Sequence, residues 1–154
     1  MMNQVIIEVT ESLNEIPLSF IKKPIVIGGM AMEYYGMRKA GRDIDLIISQ
    51  DDYQVLSQKY PDNKKDLYGD LGFIINKFEI WRSIALIDYD FFLKDAIDEG
   101  TVLIVSIDRL LWMRVCAMEV EKYKKDLDLM KEYYYGHFRN QCYLQEYRLN
   151  NPTN

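Results

Sequence analysis

Two aspartates separated by one residue are the first candidates for chemistry in this chain. Asp43 and Asp45 stand at the start of the apolar run over residues 44–48, which predicts a buried strand. Residues i and i+2 of a strand share a face, so the two carboxylates point together. They repel each other unless a cation lies between them. Mg²⁺ typically binds through one or two carboxylates and substrate phosphates, so the pair is a candidate metal site.

A glycine pair precedes the aspartates. Gly28 and Gly29 follow the apolar run 25–27 and come before a segment with helical character. A strand that ends in glycines before a helix presents free backbone N–H groups, and the helix dipole favours a phosphate there. Alone, the glycines are also typical of a tight connection, and the aspartates of a solvated surface. Together they favour a site for a metal-bound phosphate.

Hydrophobic periodicity and turn residues predict the elements that must position these groups. The expected helices cover residues 3–15, 30–37, 51–60, 89–97, 106–118, 123–135 and 138–149. The expected strands cover residues 25–27, 44–48 and 102–105, with one or two more in the segment 72–86, which is rich in β-branched and aromatic residues. Ser106 is the expected N-cap of the fifth helix.

This order of elements predicts an α/β (α+β) fold in which helices flank a small mixed β-sheet and a helical segment follows. The length of 154 residues is typical of one domain. We expect an N-terminal helix in residues 1–23, a core in residues 24–105, and a helical tail in residues 106–150 that packs on the core.

Composition narrows the classes of function. The net charge of −5 does not indicate a general nucleic-acid-binding surface. The single histidine, His137, excludes a histidine-rich zinc site. Cys116 and Cys142 have no metal-binding spacing and are expected to be reduced thiols. Because no apolar stretch approaches about 18 residues, we expect no membrane span and a cytoplasmic location.

The stretch GGMAMEYYGMRKAGRDIDLII resembles the nucleotidyltransferase superfamily. In that family Gly-Gly or Gly-Ser is followed, after a spacer of about this length, by Asp-hydrophobic-Asp-hydrophobic. Here thirteen residues separate Gly29 from Asp43. Arg38 and Arg42 look like the basic residues common before the acids. The downstream stretch VSIDRLLWMRVCAMEVEKYKKDLDLMKEY is similar to AbiEii-type toxin enzymes, so the resemblance covers residues 24–135.

The resemblance implies a third carboxylate on a neighbouring strand. Glu79, Asp88 and Asp90 are the candidates. Glu79 is favoured because it stands between Phe78 and Ile80 in the most strand-like segment, and hydrophobic-acid-hydrophobic is the family's form. The alternative for Glu79 is a solvent-facing position on an edge strand.

Basic and acidic residues of the helical tail extend the resemblance. Arg114 interrupts an apolar stripe that includes Val115. A buried arginine there needs an anionic partner, either a triphosphate or an active-site carboxylate; the alternative is a side chain that reaches solvent from the edge of the stripe. Lys125 and Asp126 partly match a Lys-Asp-x-x-Asp motif, which leaves open whether Asp126 or Asp128 corresponds to the family's acid. A solvated helix start would explain these residues equally.

The function that the resemblance implies is transfer of a nucleoside monophosphate from an NTP to an acceptor hydroxyl, with release of pyrophosphate. Two Mg²⁺ ions are implied, with Mn²⁺ as an alternative metal, held by Asp43, Asp45 and Glu79. The implied nucleotide-binding residues are Gly28, Gly29, Arg38, Arg42, Arg114, Lys125 and Asp126. The implied partners are the NTP donor, an acceptor such as the tRNA 3′ end, and a cognate antitoxin.

Two positions depart from the family's pattern. Met30 stands where many members have a Ser or Thr hydroxyl for phosphate, and Arg114 stands where lysine is more common. The alternative function is therefore a catalytically degenerate protein of the same fold that binds a nucleotide or a partner.

Overall fold

A computed structural model describes residues 1–117 and 120–138 of the chain. Its helices are α1 (Gln4–Asn14), α2 (Gly28–Tyr34), α3 (Gln50–Lys59), α4 (Tyr89–Leu93), α5 (Ile107–Cys116) and α6 (Glu121–Phe138), with a 3₁₀ turn at Pro61–Asn63. In this part of the chain, the helices all fall short of the length and hydropathy that crossing a bilayer requires. The predicted helix over 138–149 lies outside the described residues except for its first position, as does Cys142.

The strands build one mixed sheet and a small hairpin. They are β1 (Ile25–Val26), β2 (Ile44–Ile47), β3 (Lys64–Leu67), β4 (Asp70–Ile75), β5 (Phe78–Trp81), β6 (Ser83–Ile84), β7 (Ile87–Asp88), β8 (Ile97–Asp98) and β9 (Leu103–Ile104). The seven-stranded sheet has the order β3-β4-β5-β2-β1-β9-β8, and β6 pairs with β7. The pairs β2–β5 and β1–β9 are parallel, whereas the other neighbours are antiparallel. The mixed α/β class is therefore confirmed.

The sheet separates two apolar cores, as the alternation of strand side chains requires. Ile44, Leu46 and Ile48 belong to the core that includes residues of α1, whereas Ile47 belongs to the core that includes residues of α5 and α6. Since Asp45 alternates with Leu46, it faces the same side as Ile47. The carboxylate thus points toward the C-terminal helices.

The predicted caps and boundaries agree with the structure in most places. The hydroxyl oxygen of Ser106 accepts from the backbone N–H of Arg109 and caps α5, as predicted. Ser49 caps α3 in the same way, accepting from the backbone N–H of Asp52. Each of these bonds satisfies a backbone donor that the first helical turn leaves unpaired.

Two boundaries were predicted wrongly, and one strand was not predicted. The helix expected over 89–97 ends at Leu93, because Asp95 has a φ of +57° and breaks the helical path; β8 follows and pairs with β9. Strand β3 was missed because all of its side chains are exposed, so it shows no apolar alternation. Helix α2 begins at Gly28 and not at Met30.

Candidate functional site

Asp45 and Glu79 are direct neighbours in the centre of the sheet. Strands β2 and β5 run parallel, and their register places Asp45 beside Glu79. Neighbouring strands lie roughly 4.8 Å apart, so the side chains project side by side from one face. Both residues are half-buried. The sheet thus places two carboxyl groups next to each other, on a central pair of strands and not on an edge.

The proximity of the two carboxyl groups changes the acidity of Asp45. Burial raises the pKa of Asp45 to about 7, and the charge of Glu79 and a hydrogen bond with Glu79 add to the rise. The positive charges of Arg114 and Lys122 act in the opposite direction and lower that pKa. Near neutral pH the pair therefore holds a proton or requires a cation.

Gly28 brings the glycine pair into direct contact with the carboxylate of Asp45. Its φ is +64°, and a Cβ atom there would lie only 2.6 Å from Oδ2 of Asp45. The neighbouring backbone N–H of Ile27 donates to the carbonyl oxygen of Asp45 at 3.0 Å. Glycine is therefore required here for two reasons, a left-handed backbone and the close approach of a carboxylate.

We expect the substitution Gly28→Ala to lower the free energy of unfolding by about 2 kcal/mol or more. The left-handed conformation costs an alanine about 1 kcal/mol, and the contact with Asp45 adds a steric cost. Urea denaturation would measure the change. Gly36→Ala is the matched control, because Gly36 has a φ of +76° with no atom within 4 Å of its Cβ position. Equal losses in the two variants would contradict a role for the Asp45 contact.

Asp126 joins two arginines in a buried ion cluster. Its side chain is only 2% exposed. Nε of Arg38 donates to Oδ1 at 2.6 Å and Nη2 of Arg38 donates to Oδ2 at 3.0 Å. Nε of Arg114 lies 3.0 Å from Oδ2, but its N–H is not aligned for a hydrogen bond, so this contact is an ion pair only. One carboxylate thus faces two guanidinium groups.

Arg114 is buried, so the alternative of a side chain that reaches solvent is wrong. The residue is 4% exposed, and its guanidinium lies 4.4 Å from the centroid of the Tyr123 ring. Burial lowers the pKa of Arg114, and the charge of Asp126 opposes this. Val115, which was expected on the apolar face of α5, is exposed instead.

The ion cluster lies beside the glycine pair and the carboxyl pair. A Cβ atom on Gly29 would be 3.4 Å from Nη1 of Arg38, so this guanidinium lies against the start of α2. The charge of Arg114 acts on Asp45. One carboxylate and two guanidinium groups leave one positive charge in excess next to Asp45 and Glu79.

Two of the predicted site residues, Arg42 and Lys125, lie on other parts of the surface, and a third, Asp43, lies at the entry of β2. Asp43 is exposed and precedes the first residue of β2. Arg42 lines a cavity of about 450 Å³ with Ser12 and Lys77, between α1 and the turn before β5. Lys125 is exposed and lines a surface groove on α6.

The two other candidates for the third acid lie at a different end of the sheet. Asp88 and Asp90 line a cavity of about 350 Å³ together with Ser49 and Gln50, which follow the carboxyl end of β2. Ser49 lies four steps of extended chain beyond Asp45, a distance of roughly 13 Å. Asp88 also accepts a hydrogen bond from the backbone N–H of Phe91 and caps α4. Of the three candidates, Glu79 is therefore the neighbour of Asp45.

Lys122 is the charged residue that sequence reasoning missed at this site. Its charge acts on Asp45, and it precedes Asp126 by four residues, one helical turn on the same face of α6. The four-residue spacing is visible in the sequence. It places Lys122 near the site only once Asp126 is known to face inward.

The oxygen ligands present suit a hard cation only in part. Asp45 and Glu79 offer two adjacent carboxylates, the number through which Mg²⁺ commonly binds when phosphates complete its shell. Within residues 1–117 and 120–138, no three His, Cys, Asp or Glu side chains converge on one point.

We compared the chain with models of protein families, with curated proteins and with solved structures. None of the three comparisons found a match.

Proposed function

We propose that this protein has a nucleotidyltransferase fold and transfers a nucleoside monophosphate from an NTP to an acceptor hydroxyl. The observation that carries the proposal is the pairing of Asp45 with Glu79 on parallel strands, against Gly28. Two carboxyl groups held together by the sheet, one with its pKa raised to about 7, are costly unless a cation uses them.

Asp45 and Glu79 are the residues that would hold Mg²⁺, or Mn²⁺ in its place, and Asp43 at the entry of β2 is the third ligand proposed from the resemblance. When bound, the metal offsets phosphate charge and lowers the pKa of the acceptor hydroxyl. Because Gly28 has no side chain, the carboxylate of Asp45 lies directly against the backbone at the start of α2.

The arginines of the ion cluster would bind the phosphates. Arg114 has a buried Nε without a hydrogen-bond partner among the described residues, and Arg38 lies against Gly29. Fixed cations next to a transferred phosphoryl group stabilise the charge that develops in the transition state. In this arrangement Asp126 orients both arginines, and Tyr123 packs against the guanidinium of Arg114.

The acceptor that we propose is an RNA 3′ end, such as that of tRNA, and a cognate antitoxin would be the protein partner. Both proposals come from the resemblance to AbiEii-type toxins. A small-molecule or protein hydroxyl is the competing acceptor, and a single assay separates these classes.

We expect label to enter an acceptor from an NTP labelled at the α-phosphate and not from one labelled at the γ-phosphate. That contrast distinguishes nucleotidyl transfer from phosphoryl transfer by a kinase. Each of the four NTPs would be incubated with Mg²⁺ and total RNA, total protein or small metabolites. Label from the γ-phosphate, or none with any acceptor, would count against the proposal.

Substitutions of the two carboxyl groups test whether Asp45 and Glu79 are required for transfer in the same assay. Asp45→Asn and Glu79→Gln should each abolish transfer, by a factor of at least about 10³. Asp88→Asn is the matched control, because it removes one acid at the other end of β2 and should leave transfer unchanged. Intact thermal unfolding of each variant would show that the fold persists.

Binding without transfer is the second candidate function. It is favoured by Met30, which is 1% exposed and packs in the core with α1, so no hydroxyl is presented after Gly29. Calorimetry with each NTP in the presence and absence of Mg²⁺ separates the two functions. Tight metal-dependent binding with no labelled product would favour this candidate over the enzyme.

A further inference from the structure

Helix α6 presents its charged residues on two different faces. Asp126 and Met130 are buried, which defines the face of α6 that packs on the rest of the fold. Lys125 lies on another face, where it lines an open groove with Asp128 and Glu132. The motif that pairs Lys125 with Asp126 in sequence therefore joins two residues whose side chains point in different directions.

Lys122 lies on the same side of the helix as Asp126 but is exposed. It is one turn before Asp126, and residues four apart lie on one face of a helix. Its Nζ atom is 5.9 Å from the centroid of the Tyr123 ring, and the guanidinium of Arg114 lies 4.4 Å from that centroid. The Lys122 side chain is exposed, so it stands at the mouth of the site while Arg114 is buried within it.

The charge at the mouth of the site matches a polyanion. Arg38 and Arg114 pair with one buried carboxylate, Asp126, and Lys122 adds a third positive charge beside the Tyr123 ring. An exposed lysine on a flexible stem can follow a phosphate group, whereas a buried arginine is fixed. A chain of phosphates that starts at the carboxyl pair would meet Arg114 first and Lys122 toward solvent.

We propose that Lys122, and not Lys125, is the lysine of α6 that contacts the polyphosphate of the nucleotide. This inference rests on the proposed function and assigns a substrate contact within the same site. Lys122 donates to the phosphates that become pyrophosphate, and it stabilises their charge as they leave. Lys125 makes no contact with the nucleotide.

Inorganic tripolyphosphate with Mg²⁺ is the probe, because it carries the phosphate chain without a base. Calorimetry would compare the full chain with Lys122→Gln, Lys122→Arg and Lys125→Gln. We expect the dissociation constant to rise about tenfold or more in Lys122→Gln. It should change less than about twofold in Lys125→Gln, and Lys122→Arg should recover most of the affinity. The two glutamine variants carry the same change in charge on the same helix.

Two results would overturn the inference, and only the second would also overturn the proposed function. If the wild type binds tripolyphosphate and the two glutamine variants weaken binding equally or not at all, Lys122 has no special contact, but the proposed function stands. If the wild type does not bind the probe with Mg²⁺, both the inference and the proposed function fail. Unchanged thermal unfolding in all variants ties each effect to binding and not to folding.

Discussion

Replacing Asp126 with Ala is expected to lower the free energy of unfolding by about 3–5 kcal/mol. The carboxylate is 2% exposed and pairs with Arg38 and Arg114, so its loss leaves Arg114 as a buried charge without its partner. Breaking a buried ion pair by removing one partner typically costs this much. Guanidinium denaturation followed by circular dichroism would measure the loss.

The control for this substitution is Asp128→Ala on the same helix. Asp128 is exposed, and a substitution there should change stability by no more than about 0.5 kcal/mol. A double-mutant cycle with Arg114→Met tests whether the lost ion pair is the cause. Removing both charges should lower the free energy of unfolding by less than the sum of the two single substitutions. Similar losses for Asp126→Ala and Asp128→Ala would show that the cluster does not contribute as described.

In the metal-free protein, stability is expected to fall as the pH rises from about 4 to about 7. The pKa of Asp45 is raised from 3.8 to about 7, so between these values the folded state holds a proton that the unfolded state has released. The free energy of unfolding therefore falls as the pH rises through this range, and it stays lower above pH 7. At about 1.4 kcal/mol per pKa unit, the loss is at most about 4 kcal/mol, and solvent access to the site reduces it.

The variant Asp45→Asn isolates this effect. It cannot lose a proton, so it should be more stable than the wild type at pH 8 and nearly equal to it at pH 4.5. Glu33 has a lowered pKa, so its own contribution is lost only below about pH 4.5. A difference that does not vary with pH would falsify the shift.

Mg²⁺ should restore the lost stability of the wild type at pH 8. A ligand that binds only the folded state stabilises it in proportion to the logarithm of its concentration above the dissociation constant. Asp45→Asn should show no such gain. Chelator titrations monitored by melting temperature would record both responses, and equal gains in the two proteins would place the metal elsewhere.

The local parts of the fold could be predicted from the sequence. The strand at 44–48 was predicted from its apolar run, and α1 from its helical period, because each pattern reflects burial of one face. The Ser106 cap was predicted because a serine before an apolar period satisfies backbone donors. Strand β3 could not be predicted, since its side chains are all exposed and its pairing with β4 alone defines it.

Contacts distant in sequence lay beyond such reasoning. Arg38 and Asp126 are 88 residues apart, and no local pattern shows that they share a hydrogen-bonded pair. The sequence marked Arg114 as an awkward charge on an apolar stripe but left its burial open; packing of α5 against α6 decided that. The same packing turned Asp126 inward and Lys125 outward.

The sequence by itself determined that Asp43 and Asp45 follow a glycine pair at the entry of a strand, because side-chain spacing and strand alternation are local properties. Only the tertiary structure decided that Glu79 is the carboxylate beside Asp45, because strand register is set by pairing between distant segments. It also decided that Gly28 must lack a Cβ atom, because the Asp45 carboxylate occupies that space. The glycine pair and Asp45 are close in sequence, whereas the pairing of two distant strands brings the carboxyl groups of Asp45 and Glu79 together.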